Sequence, residues 1–225
     1  MAICLDNHSR ARAAIIFLWI AAGLSAAGLI YNLLGVHVLQ SRRAAIIGII
    51  LVGALSLATI VSFLAWFYRA YRNLDSTGVY MLYAPGWAIG SFLVPFMNWI
   101  RPYRIMEEIW RENTEMVNDP NAAEPLTKNQ PNALLKWWWG CWVLADIAGI
   151  FYTPKPALSD PVGLLAPTHN LLANVSLLLS IVAAILAIQV IQKISTLESK
   201  VLARQRARES SAVMPHFQAS NRSIT

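Results

Sequence analysis

Charge and cysteine are both scarce in this chain of 225 residues. Only 13% of the residues are charged, and just 12 are acidic. A soluble domain carries about 25% charged residues. The shortfall excludes an ordinary soluble enzyme, a disordered chain and a soluble nucleic-acid binder. The two cysteines, Cys4 and Cys141, lie far apart, with no CxxC and no Cys/His cluster. Neither a disulfide framework nor a structural zinc site is implied. No nucleophile elbow, P-loop, Rossmann glycine pattern or HExxH helix occurs. Gly86-Trp87-Ala88-Ile89-Gly90 is not a phosphate loop, because no lysine follows it. No catalytic residue, cofactor or metal site is expected.

What the chain has instead is apolar length. Hydrophobic residues make up 56% of it, and the mean hydropathy is +0.47. A spanning helix needs roughly 20 mostly apolar residues. Arg10 and Arg12 precede an apolar run, and Ser25-Ala26-Ala27 has the form of a cleavage site. Yet no charge falls between Ala13 and Ser41. That run outlasts the roughly 7–15 residues of a signal-peptide core, so an uncleaved helix is expected. Spans are predicted over about 13–39, 44–68, 137–154 and 168–192. A fifth apolar stretch, 76–100, contains Pro85, Gly86, Gly90, Pro95 and Asn98. Two prolines break helical hydrogen bonding where lipid offers no replacement. The stretch is expected to be re-entrant or interfacial rather than a fifth span.

Charge sidedness supports four spans. The formal net charge is +6. With four spans and the N-terminus inside, 15 basic residues face the cytoplasm and three (Arg42, Arg43, Lys155) face out. Basic loops stay cytoplasmic, so the charge reads as membrane topology rather than a nucleic-acid footprint. Trp66, Trp99, Trp110, Trp137, Trp138, Trp139 and Trp142 then gather near the inner interface, the belt that indole rings prefer. The expected layout is a cytoplasmic N-terminus (1–12), a membrane domain (13–192) and a basic, partly disordered cytoplasmic tail (193–225). The predicted fold is an all-α multi-pass transmembrane bundle in the cell membrane, both termini inside.

Within the membrane domain, the short turn Gln40-Ser41-Arg42-Arg43 makes the first two helices antiparallel neighbours. Ala22, Gly23, Ala26, Ala27 and Gly28, with Gly48, Ala54 and Ala58 opposite, permit close helix approach in lipid. From 101 to 117, Ile105, Met106, Ile109, Trp110, Met116 and Val117 form one stripe of an amphipathic helix, and Glu107 to Arg111 is a favourable i,i+4 pair. Its net charge of −1 is wrong for a helix held by anionic lipid, which would be basic, so its apolar stripe is expected to pack on the protein or in the neutral interface. Residues 118–132 are polar and proline-rich, hence a loop.

The candidate ligand-binding residues are the charged and polar ones in unusual places. Arg69 and Arg72 are three apart at the end of the second span, and either anchor it or contact an anion. Asn98, Arg101 and Arg104 flank the broken segment. Asp146 lies inside a span, where a charge costs roughly 2.5–3.5 kcal/mol on insertion scales. His37, His169 and Asn170 are expected at similar depth, in a polar cluster with it.

Three stretches recur as a pattern: Phe67-Tyr68-Arg69-Ala70-Tyr71-Arg72-Asn73-Leu74, Pro85-Gly86-Trp87-Ala88-Ile89-Gly90, and the run from Val94-Pro95-Phe96-Met97-Asn98-Trp99 through Arg101-Pro102-Tyr103-Arg104 to Glu108-Ile109-Trp110. Together with Trp137-Trp138-Trp139-Gly140-Cys141-Trp142, they resemble the DUF4328 domain, over roughly Val61 to Gln192. The resemblance implies a bacterial multi-pass membrane protein. It marks Arg69, Arg72, Pro85, Gly86, Trp87, Pro95, Asn98, Arg101, Pro102, Tyr103 and Glu108 as signature residues, and it carries no established activity.

The first functional expectation is a non-enzymatic membrane scaffold or partner-binding protein. The alternative is a small transport, channel or ligand- and lipid-binding module built on the broken segment and Asp146. Expected partners are membrane lipid and a homo-oligomer or other membrane protein, with no nucleic acid.

Overall fold

The computed structural model describes residues 6–34, 42–118, 133–152 and 171–221; the side chains of Arg42, Tyr152 and residues 208–221 lie outside that description. In order come α1 (His8–Leu34), α2 (Arg42–Ser76), α3 (Trp87–Leu93), a 3-10 turn (Met97–Trp99), α4 (Arg101–Val117), α5 (Ala133–Tyr152) and α6 (Leu171–Asn221). Among the described residues there is no strand. Four helices are long and apolar enough to cross a membrane, over His8–Leu34, Arg43–Ser76, Ala133–Phe151 and Leu171–Ala207. α3 has only seven residues, and at 1.5 Å per residue it rises about 10 Å. It cannot span.

The bundle is built on α6, which packs on α5 and α1, while α1 packs in turn on α2. Side-chain bonds fix the antiparallel register. Ser176 Oγ donates to the Ala145 carbonyl (2.9 Å) and Asn32 Nδ2 to Asn174 Oδ1 (3.1 Å). Thr59 Oγ1 lies 2.8 Å from the Leu55 carbonyl of its own helix and 3.4 Å from the Phe17 carbonyl of α1. The small residues divide between two roles. Ala22 is buried, and Gly28 faces Leu177 of α6. Gly23 and Gly53 face open space.

Most apolar side chains point outward. Only 6% of the apolar window of α2 is buried, against 28% for α6. Ile47, Ile50, Leu51, Leu57, Ile60 and Val61 of α2 are all exposed. Bare apolar surface on this scale suits a hydrocarbon solvent, where it carries no penalty. The packed core sits at one end, here the capped end, where α1 begins and α2 finishes. Trp66, Phe67, Tyr71, Leu74, Ile105, Met106, Ile109, Leu135, Val190, Ile191 and Ile194 are essentially buried there. Phe63 stacks on Phe67 (5.8 Å between centroids), and Trp139 stacks on Trp142 (4.8 Å). α3, the 3-10 turn and α4 close this end. α4 buries Pro102, Ile105, Met106 and Ile109 and exposes Arg104, Glu107 and Arg111.

Several details differ from the sequence reading. Arg111 bonds its neighbour Glu112 (2.7 Å) rather than Glu107. The adjacent carboxylate is within reach because a long guanidinium side chain can fold back beside its own helix. The last helix is expected to run on out of the membrane through Lys193–Arg208, and α6 does so, but it continues to Asn221 through residues expected to be disordered. Gln40 and Ser41 of the hairpin turn and most of loop 118–132 lie outside the described residues, while Arg42 and Arg43 open α2.

Candidate functional site

The signature residues converge on the capped end, and a buried carboxylate organises them. Glu108 is 4% exposed. Its Oε1 accepts from the Leu82 backbone N–H (2.7 Å), and its Oε2 lies 2.8 Å from the Tyr71 hydroxyl. The Tyr71 oxygen also accepts from the Tyr83 N–H (3.2 Å) and sits 3.0 Å from the Tyr83 carbonyl. With one proton to give, the phenol favours the carboxylate, since a charged acceptor makes the stronger bond. This clamp ties α4 to α2 and captures the otherwise unpaired backbone at 82–83. Deleting a partner of such a bond leaves a buried polar group unsatisfied, at about 1–3 kcal/mol each.

The clamp positions the segment before α3. Gly78 has φ +82 and ends the turn after α2, a conformation that a side chain would strain. Backbone bonds from Trp87 to Ala84 and from Ala88 to Pro85 then start α3. Trp87 and Tyr83 flank Arg101, whose guanidinium carbon lies 4.0 Å from the Trp87 ring and 5.0 Å from the Tyr83 ring. Cation–π contact of this kind is worth roughly 0.5–2 kcal/mol. Arg101 Nη1 is buried without a hydrogen-bond partner among the described residues.

Beside this stack is a cleft of about 320 Å³ lined by Tyr83, Phe96, Met97, Ile100, Arg101 and Arg104. Phe96 is 76% exposed and has φ +63, outside the usual range of an L residue. Strain of this kind costs of order 1–3 kcal/mol. Arg104 is exposed, and neither Arg101 nor Arg104 makes an ion pair among the described residues. Burial, helped by nearby Glu107, raises the phenol of Tyr103 above its ordinary range.

The other candidates are dispersed. Asn98 sits half-buried in the 3-10 turn and does not line the cleft. Arg69 and Arg72 part company: Arg72 is exposed, whereas Arg69 is partly buried with its Nε unpartnered. Asp146 is exposed, not buried, in a groove of about 340 Å³ between α5 and α6, with Trp142, Gly149, Ser176 and Ser180. His37, His169 and Asn170 lie outside the described residues, and Asn32 and Asn174 form the polar link between α1 and α6.

A second polar site was invisible in the sequence. Glu198 of α6 is 8% exposed and takes Asn73 Nδ2 (3.3 Å) and Asn7 Nδ2 (3.5 Å) on its two oxygens. It lies six residues past Gln192, where the apolar stretch ends. Burial raises this carboxyl above the usual carboxylate range and Asp6 adds to the rise, while the two amides and Arg69 pull it back. Its position in a polar helical segment carried no signal, because the partners come from residues 191 and 125 positions away.

These features define a membrane protein with four long apolar helices and a folded cap of short helices at one end. The sequence pattern of the DUF4328 family, described as a domain of unknown function, matches residues 32–196. The chain therefore belongs to that family. No curated protein and no solved structure matches it.

Proposed function

We propose that this protein is a non-enzymatic membrane module whose cap binds the headgroup of an anionic lipid. One observation carries the reading. Two guanidinium groups without carboxylate partners, Arg101 and Arg104, open onto the same cleft as the exposed apolar side chains of Phe96 and Ile100. A phosphate headgroup with its acyl chains supplies both chemistries, since arginine pairs with phosphate in a forked geometry. The net −1 of α4 does not oppose this. Both arginines occupy its first turn, and its acidic residues follow, with Glu108 buried in the clamp. The strained Phe96 also gains a purpose as an apolar side chain held outward at the interface.

Reconstitution in nanodiscs of mixed phosphatidylglycerol and phosphatidylcholine tests the reading, with retained lipid counted by mass spectrometry. Phosphatidylglycerol should be enriched, and Arg104→Gln should remove the enrichment without unfolding the exposed site. Equal retention of the two lipids, or an unchanged preference in Arg104→Gln, overturns it. In this reading the capped end is cytoplasmic, as the 15-to-3 basic asymmetry suggests. Reporters fused after residue 120 and at the C-terminus should both be cytoplasmic.

A partner-binding scaffold is the second reading, favoured by α6. Its 51 residues extend about 77 Å, far more than a bilayer core requires. Beside the C-terminal end of α4 it exposes Lys200, Arg204 and Arg206, with Arg204 Nη1 donating to the Met116 carbonyl (3.3 Å).

A further inference from the structure

A cleft of about 330 Å³ opens at the capped end between the start of α1, the end of α2 and α6. Asn7, Asn73, Ser195 and Glu198 line it, and Asp6, His8 and Arg206 also border it. It shares no residue with the Arg101 cleft. Its polar groups are unevenly used. Asn7 is 4% exposed, and its amide donates to the Trp66 carbonyl (3.3 Å) and to Glu198, yet its Oδ1 is buried with no partner among the described residues. Ser195 Oγ is likewise buried and unpartnered. Each Glu198 oxygen takes one long amide bond and keeps lone-pair capacity, because a carboxylate accepts about four. The cleft therefore holds unspent acceptors.

Three ligand classes compete for such a place. An anion meets two carboxylates, Asp6 and Glu198, against one guanidinium, Arg206. A bare metal ion meets amide hydrogens already aimed at both Glu198 oxygens, and among the described residues no group of three His, Cys, Asp or Glu side chains assembles. An organic ammonium suits the inventory. Its N–H donors match the open lone pairs of Glu198 and, once the side chains that now cover them shift, Asn7 Oδ1 and Ser195 Oγ, and the volume leaves room for the carbon body it is attached to.

We infer that this cleft binds a small primary ammonium group, held by Glu198, Asn7 and Ser195. The ammonium belongs either to a free amine or to an ethanolamine lipid headgroup at the membrane surface, and the chemistry of recognition is the same. Orphaned buried acceptors cost free energy until a donor reaches them, which gives the ligand its binding energy and its selectivity for N–H.

Calorimetric titration of the full chain in phosphatidylcholine nanodiscs with ethanolamine tests this. Saturable one-to-one binding is expected, weakened roughly tenfold or more in Glu198→Gln, as for loss of a charge-assisted hydrogen bond. Ser195→Ala should weaken it by a smaller factor and serves if Glu198→Gln folds poorly. Tetramethylammonium and sodium ions lack N–H donors and should not compete. Discs containing phosphatidylethanolamine separate the sources: a lower apparent affinity for ethanolamine identifies the lipid headgroup, and an unchanged one identifies a free amine. No saturable binding, full competition by tetramethylammonium or sodium, or wild-type affinity in both variants overturns the inference. The anionic-lipid assay at Arg104 is unaffected by any of these results.

Discussion

The two ends of this bundle hold together by different means. At the capped end, aromatic rings, a buried clamp and two short helices enclose a core resembling that of a soluble domain. Toward the opposite end, the same four helices run with apolar side chains facing out, linked by single polar contacts such as Asn32 to Asn174. The difference lies in the solvent. Where water reaches the chain, burying apolar area is worth about 25 cal/mol per Å². In hydrocarbon that term vanishes, leaving van der Waals contact and sparse hydrogen bonds. Function is therefore expected at the capped end, which gathers two clefts lined by charged side chains, Arg101 with Arg104 and Asp6 with Glu198.

The sharpest way to break this comparison is to cut the same kind of side chain from each solvent regime. Trp66 is fully buried at the capped end, and Ile50 is 63% exposed on α2. Trp66→Ala should destabilise the folded protein by about 3–5 kcal/mol, as large-to-small changes in packed cores do. Ile50→Ala should stay within about 0.5 kcal/mol, as for surface positions. Thermal or denaturant unfolding in one detergent measures both. Similar losses would mean that the apolar belt packs on protein rather than lipid.

Acidity should affect the capped end through Glu198. Its folded-state carboxyl titrates above the ordinary value of 4.5, chiefly from burial. The folded state thus binds the proton more tightly than the unfolded state does. Stability from this group is fully present below the ordinary carboxylate range and is lost as pH rises through the folded value. Asp6 facing it deepens the effect, Arg69 opposes it, and Arg206 and the imidazole of His8 also line its cleft. The unfolding midpoint of the wild type should therefore fall, relative to Glu198→Gln, as pH is raised from about 4 toward 7. Parallel profiles would remove Glu198 as the cause.

How much of this was legible in the residues follows the same division. The four helices could be read because apolar length and charge spacing are local signals. The broken segment could be read because Pro85, Pro95 and Gly86 disrupt helical hydrogen bonding. The resemblance marked Glu108, but the clamp it forms could not be read, since no local pattern separates its surroundings from those of Glu107 beside it. Burial of one and exposure of the other depends on which face of α4 meets Tyr71. Asn7, Asn73 and Glu198 share that opacity, being polar residues in polar surroundings that only the antiparallel register brings together. Asp146 stood out as a charge inside an apolar run, and the structure places it facing outward. Sequence shows the cost of a charge in a span, but the helix rotation decides what the charge meets.

A similarly small effect should come from the polar links of the opposite end, and it tests the premise that such links add little there. Asn32 Nδ2 donates to Asn174 Oδ1 at 3.1 Å between α1 and α6. Desolvation alone would make a lost hydrogen bond severe in water-free surroundings. Measured interhelical bonds in membranes average only about 0.6 kcal/mol, because the separated helices find other partners. Asn32→Ala should therefore cost about that amount, several-fold less than Trp66→Ala. The coupling between Asn32→Ala and Asn174→Ala isolates the bond they share and should be about that size. A double-mutant cycle by unfolding in detergent reads the coupling directly. A coupling above about 2 kcal/mol would place a major structural restraint at the sparsely packed end and undo the contrast between the two.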